Sequence, residues 1–145
     1  MYNKKFMEKI VSVAKEIKED IPVCVLIEKN GEIISIAVNE KEKKGLTAAH
    51  AEILAIEKAN KKLNSWRLED CSMYVTLEPC PMCAWAILSS RIKNVYFGAY
   101  DTQYGAFGGR INLLNLGNFK TKTKGGFLES ECNNLLSSYF EKLRK

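Results

Sequence analysis

Residues 72–99 read SMYVTLEPCPMCAWAILSSRIKNVYFGA. The stretch opens with Ser72 to Leu77 (SMYVTL) and closes with Asn94 to Ala99 (NVYFGA), two short runs rich in the β-branched and aromatic residues that suit strands. Between them Pro79 and Pro81 bracket a helix start, because proline's fixed φ fits the first turn, where its missing N–H costs nothing. Cys83 to Ser90 continues that helix. Antiparallel neighbours can be joined by a tight turn, but parallel ones need a crossover, so two strands joined through a helix imply parallel pairing. This strand–helix–strand unit puts the chain in the α/β class.

On the N-terminal side, VCVLIE and EIISIAVN flank Lys29-Asn30-Gly31, and Asn-Gly is the favoured two-residue hairpin turn, so an antiparallel hairpin is expected from Val23 to Asn39. Before it, Phe6, Ile10, Val13, Ala14 and Ile17 follow helical spacing until Asp20-Ile21-Pro22 stops the run. After it, the lysine-rich segment Glu40 to Gly45 reads as a loop. Thr47 then caps a helix that carries Ala51, Leu54, Ala55 and Ala59 on one face and ends near Lys62.

On the C-terminal side, Tyr100 to Leu116 is a glycine-containing connector, partly helical at best. KTKTKGG alternates in a strand-like way while staying polar on both faces, which favours an edge strand over a loop. Leu135, Leu136, Phe140 and Leu143 mark a closing amphipathic helix over Leu128 to Leu143. The order helix, hairpin, helix, strand, helix, strand, helix predicts a three-layer α/β/α fold on a mixed sheet. With 145 residues, 46% of them hydrophobic, one domain over 1–145 is expected.

The first twenty residues carry charges throughout, unlike a secretory signal, and no stretch reaches membrane-spanning length, so the expected location is cytoplasmic. Five cysteines, an odd number, argue against a disulfide framework in such a chain. Cys24, Cys71 and Cys132 lie in apolar segments and read as small buried hydrophobes. The net charge of +5, with lysines at 41, 43 and 44, at 61 and 62, and at 120, 122 and 124, suits a polyanionic partner. Solvated lysine faces of this density also occur in proteins that never meet nucleic acid.

The Cys80-Cys83 pair therefore needs a metal or redox explanation. His50-Ala51-Glu52 opens one helix and Pro79-Cys80-Pro81-Met82-Cys83 opens another, so an imidazole, two sulfurs and a carboxylate converge where the two helix starts meet. Two thiolates three residues apart reach one tetrahedral metal from a single turn, and the free N–H groups at the helix start favour their ionised form. Three protein ligands leave a fourth position for water, as catalytic zinc sites do, and coordination brings the pKa of that water to about 7. Glu52 leaves the same turn as His50 on a different face, so it lies beside the water without ligating the metal. Taken singly, a lone His is usually structural, CxxC can be a redox pair, and H-x-E arises by chance. Here they come together in order, both at helix starts, with the only histidine of the chain among them.

H-x-E followed by P-C-x-x-C is the pattern of zinc deaminases. HAEILAIEKA, SWRLEDCSMYVTLEPCPMCAWAILSSRI and VYFGAYD together resemble bacterial tRNA-specific adenosine deaminases of the cytidine deaminase superfamily, over nearly the whole chain. The resemblance implies a five-stranded sheet, one Zn2+ per chain, a homodimer, and conversion of the wobble adenosine in a tRNA anticodon stem-loop to inosine. It implies His50, Cys80 and Cys83 as zinc ligands and Glu52 as the catalytic proton shuttle, general base and then general acid. It further implies substrate contacts from Asn39 to the flipped base, from Asp101 near the substrate channel, and from Phe140 and Arg144 on the final helix. For three of these four an ordinary reading stands beside the functional one: Asn39 as a polar strand end, Asp101 as a loop or cap residue, Phe140 as helix core.

Cys24 replaces the family's usual glycine, Leu46-Thr47-Ala48 replaces its Asp-Pro-Thr, and the segment after Phe119 is shortened; these departures bear on substrate range more than on chemistry. Two rival readings follow: the same chemistry on a free base, nucleoside or nucleotide such as guanine, cytosine or CMP, or a structural-zinc, nucleic-acid-binding or dithiol redox module.

Overall fold

The computed structural model describes residues 1–144. Helix α1, Lys4–Ala14, buries Met7, Ile10, Val11 and Ala14, spaced to line one helical face. It closes a turn earlier than the apolar spacing suggests: the N–H groups of Glu16 and Ile17 reach back to the carbonyls of Val13 and Ala14, both at 3.1 Å, in a tightened last turn. Strands β1, Cys24–Lys29, and β2, Glu32–Val38, form the expected hairpin. Asn30 at φ 53° and Gly31 at φ 82° make the turn, and the Glu28 carboxylate accepts the Gly31 N–H at 2.8 Å.

Residues 41–44, expected as loop, form the one-turn helix α2, ended by Gly45 in the left-handed region. Its first N–H groups are taken up from a distance: the buried Asp20 carboxylate accepts from Glu42 at 2.8 Å and Lys43 at 3.2 Å, and Asn39 Oδ1 accepts from Lys41 at 3.1 Å. Helix α3 spans Ala51–Leu63, and its N-cap is His50, not Thr47, which sits in the preceding turn. Strand β3, Cys71–Leu77, helix α4, Pro81–Ser90, and strand β4, Asn94–Ala99, are the predicted crossover unit. A 3-10 turn at Leu113–Leu116, edge strand β5, Lys122–Lys124, and helix α5, Glu129–Leu143, complete the order.

The sheet runs β2-β1-β3-β4-β5. β1 is antiparallel to both neighbours; β3, β4 and β5 are parallel. Side chains alternate across the sheet as the two-residue period requires. Val25, Ile27, Met73, Val75, Val95 and Phe97 pack with α3 and α4 on one face; Cys24, Leu26, Tyr74 and Tyr96 pack with α1 and with Cys132 of α5 on the other. Two apolar clusters on opposite faces of one sheet make the three layers.

The register fixes where the loops gather. Cys24 pairs with Val38, Val25 with Val75, and Leu77 with Ala99, so the start of β1 and the ends of β2, β3 and β4 share one edge of the sheet. In open α/β sheets, ligands bind beyond the carboxyl ends of the parallel strands. Here that edge delivers Asn39, Cys80 and the loop that begins at Tyr100.

Candidate metal centre

His50 and Cys80 are the N-cap residues of α3 and α4, both in extended backbone (φ −71°, ψ 147° and φ −74°, ψ 172°), and neither side chain makes the usual capping hydrogen bond. Their donor atoms point instead into the space between the two helix starts. There Cys80 Sγ lies 3.7 Å and Cys83 Sγ 3.4 Å from His50 Nδ1. All three donors fall within 4.8 Å of one another. Tetrahedral zinc bonds of about 2.3 Å to sulfur and 2.0–2.1 Å to nitrogen would separate S and N by about 3.6 Å, which these two distances bracket. The residues therefore fit a zinc ion, and among the described residues no fourth His, Cys, Asp or Glu joins the group.

The electrostatics suit a cation. The Cys80 thiol is lowered to about 5, chiefly by the hydrogen bond from the Cys83 thiol, then by the Cys83 backbone N–H, His50 and the Met82 N–H at the helix start. Cys83 moves the opposite way, because it holds the proton it donates to Cys80 and is fully buried. Glu52, in the first turn of α3, is 5% exposed. Burial pushes its carboxyl up to about 7, with the Cys80 charge adding to the rise and its own backbone N–H and the Cys83 thiol opposing it. A carboxyl poised near neutrality exchanges protons readily at physiological pH.

The sequence-predicted residues divide. His50, Glu52, Cys80 and Cys83 are brought together. Asn39 lies beside them, since Glu40 N–H binds the Ala49 carbonyl at 2.9 Å; its Oδ1 is used on Lys41, which leaves its amide N–H groups as donors. Asp101 Oδ1 accepts the N–H groups of Gln103 at 2.9 Å and Tyr104 at 3.0 Å, an ordinary turn-capping role. Phe140 is 43% exposed, not core, and stacks edge-on to Tyr139. It belongs with Arg144 to the last turns of α5, on the sheet face opposite the metal group. That helix end lines a cleft with Pro22, just before β1, and so sits at the same edge of the sheet. Cys24, Cys71 and Cys132 are buried as expected.

One functional candidate escaped the sequence reading. Glu78, two residues before Cys80, is 2% exposed, and its carboxylate accepts the backbone N–H groups of Asp101 at 2.9 Å, Phe107 at 2.9 Å and Gly109 at 2.8 Å. Left unmade, each such bond to a buried group costs roughly 1–3 kcal/mol. Nothing in the sequence distinguishes Glu78 from an ordinary acidic residue. Its partners are backbone groups 23 to 31 residues further on, which no spacing rule reveals.

Residues 1–99 match the family model for the cytidine and deoxycytidylate deaminase zinc-binding region. The tRNA-specific adenosine deaminase of Bacillus subtilis (strain 168) is 43% identical over 144 residues, covering 97% of this chain and 89% of its own. The Aquifex aeolicus (strain VF5) protein of the same name is 43% identical over 128 residues, 88% of this chain and 85% of its own. Among solved structures, one from work on A-to-I editing by tRNA:A34 deaminases at the wobble position superimposes with a TM-score of 0.85 at 29% identity, covering 91% of this chain and 99% of its own. The guanine deaminase of Bacillus subtilis superimposes with a TM-score of 0.65 at 37% identity over 70% of this chain and 67% of its own.

Proposed function

Because the chain belongs to the cytidine and deoxycytidylate deaminase family, and within it to the tRNA-specific adenosine deaminases, we propose that it converts adenosine to inosine at the wobble position of a tRNA anticodon stem-loop. The observation that carries the chemistry is the three-donor set of His50, Cys80 and Cys83 with the buried, non-ligating Glu52 alongside. The net reaction exchanges the C6 amino group of adenine for oxygen, consuming water and releasing ammonia.

His50 Nδ1 and the sulfurs of Cys80 and Cys83 would hold the zinc. When bound, zinc supplies Lewis acidity, bringing the pKa of a water molecule to about 7 and making it nucleophilic. Glu52 does the proton work: its carboxylate takes a proton from water and delivers it to N1 of the ring, then takes the second proton from the hydroxyl now on C6 and passes it to the departing amine as ammonia leaves. Its pKa of about 7 suits both directions of transfer. The Asn39 side-chain amide donates to a ring nitrogen and holds the flipped base against Glu52. Phe140 and Arg144 supply a stacking face and a phosphate partner at the rim, supported by the exposure of Phe140. Asp101 enters as a residue of the channel wall more than as a direct contact, since its Oδ1 is spent on the turn.

The chain acts as one domain over 1–145, a reading supported by two apolar clusters built on a single sheet. The partner for assembly is a second copy of the chain. Support comes from α4, which leaves Met82 and Trp85 exposed beside the 3-10 turn, whose Leu116 is exposed as well. Among the described residues no helix is long and apolar enough to cross a membrane. A cytoplasmic setting agrees with five unpaired cysteines.

The test is mass-spectrometric detection of inosine after incubation of the zinc-loaded protein with an adenosine-containing anticodon stem-loop. Inosine at the wobble position is expected. The likeness to a guanine deaminase makes free-base turnover the specific alternative. Release of ammonia from free guanine, with none from the stem-loop, would replace this reading.

A further inference from the structure

Glu78 is buried and, among the described residues, no cationic side chain is bonded to it; the hydrogen bonds its carboxylate accepts come from the backbone of the loop after β4. Oε1 takes the N–H of Asp101, and Oε2 takes those of Phe107 and Gly109. The loop is thus wrapped around the carboxylate, so closely that an added Cβ at Gly105 would fall 2.4 Å from Glu78 Oε1 and one at Gly109 2.2 Å from it. Neither glycine has a positive φ, so what excludes a side chain is the packing of the loop on Glu78 and on the Asp101 carbonyl, 2.4 Å away in both cases.

The same loop is stitched to the metal group. Ala106 N–H binds the carbonyl of Pro79, the residue before Cys80, at 2.9 Å, and Glu78 N–H binds the Ala99 carbonyl at 2.9 Å. The loop presents Tyr104, 62% exposed, between these ties and the exposed Arg110 just beyond them, at the edge of the sheet where the metal donors lie. An aromatic face and a guanidinium are the groups that stack on unpaired bases and pair with phosphates. On the strength of the RNA-directed reading above, we infer that Glu78 is a positioning residue: it holds the Asp101–Arg110 loop in register with the Cys80 segment, so that the wall of the site is in place before RNA arrives. Ordering the wall beforehand removes a cost that substrate binding would otherwise bear.

Glu78→Gln tests this, because an amide offers one acceptor where the carboxylate offers two and turns an N–H2 group towards backbone donors. Gly109→Ala is the independent variant, pressing a Cβ into the same contact while leaving Glu78 intact. Each would be assayed beside the parent protein for zinc content, backbone amide exchange, and kcat and KM on the anticodon stem-loop. For Glu78→Gln the expected result is about one zinc per chain and amide exchange at least about tenfold faster than in the parent at Asp101, Phe107 and Gly109, with the strands unchanged. KM should rise about tenfold or more, with a smaller change in kcat. Gly109→Ala should reproduce the rise in KM. Parent-like exchange and KM in Glu78→Gln, or acceleration spread evenly over the whole molecule, would overturn the inference. Should Glu78→Gln fail to fold, an unchanged KM in Gly109→Ala overturns it alone. A parent protein inactive on the stem-loop would count against the RNA reading, while the exchange data would still report on the loop.

Discussion

Glu52 and Cys80 show how burial and neighbours set the chemistry of single residues. Glu52→Gln removes the proton carrier without touching a metal donor, so kcat should fall about 10²- to 10⁴-fold while zinc content and thermal midpoint hold; loss of zinc from this variant would mean that Glu52 is itself a ligand. A second prediction concerns the thiols. In protein stripped of zinc, Cys80, lowered to about 5, is ionised throughout the neutral range, whereas Cys24 and Cys132, pushed up to about 12 by burial, stay protonated. The sign is fixed by this order: alkylation of Cys80 should already be near its plateau at about pH 7, with Cys24 and Cys132 unreacted and zinc protecting Cys80, as peptide mapping by mass spectrometry would show. The four central residues were singled out by the joint pattern, since H-x-E and C-x-x-C are local and stand in order at two helix starts. Glu78 was not, because its partners are backbone N–H groups across a long loop, and a carboxylate that binds backbone leaves no trace in residue identity.

Among the elements, the hairpin and the β3–α4–β4 crossover were legible because Asn-Gly and the two prolines act on the residues next to them. The one-turn helix α2 was hidden for the opposite reason. It has no apolar face, and its first N–H groups are satisfied by Asp20, some twenty residues upstream. Thr47 had the right chemistry for a cap, but the helix begins three residues later, where His50 and Cys80 occupy the cap positions and aim their side chains at each other. Two glycines give contrasting tests. Gly31 has open space around its Cβ position and a φ of 82°, so Gly31→Ala should cost about 1–2 kcal/mol from backbone strain alone. At Gly98 an added Cβ would lie 2.2 Å from Cys132 Sγ and 2.8 Å from the Thr76 carbonyl, with no unusual φ. Gly98→Ala should therefore push α5 from the sheet and cost about 1–3 kcal/mol. Urea titrations of the two variants check both values, and a Gly98→Ala protein as stable as the parent would show that α5 yields freely.

For the whole molecule, the net charge of +5 makes RNA association partly a matter of displaced counterions. KM for the stem-loop should rise about tenfold or more between 50 and 200 mM salt, with kcat little changed; a KM indifferent to salt would assign recognition to the base pocket alone. Which lysines take part was not legible in the sequence, because clusters at 41–44, 61–62 and 120–124 look alike until the fold distributes them. The pairing of metal donors with helix caps reaches further, into how the chain matures. His50 precedes Cys80 by 30 residues and Cys83 by 33, with β3 lying between. A nascent chain thus shows its imidazole to the cell well before its sulfurs, and can retain the ion only after β3 and the start of α4 have been synthesised. A bound zinc would in this way join the two helix starts only in a molecule whose central strand is already made, with β4, β5 and α5 still to follow.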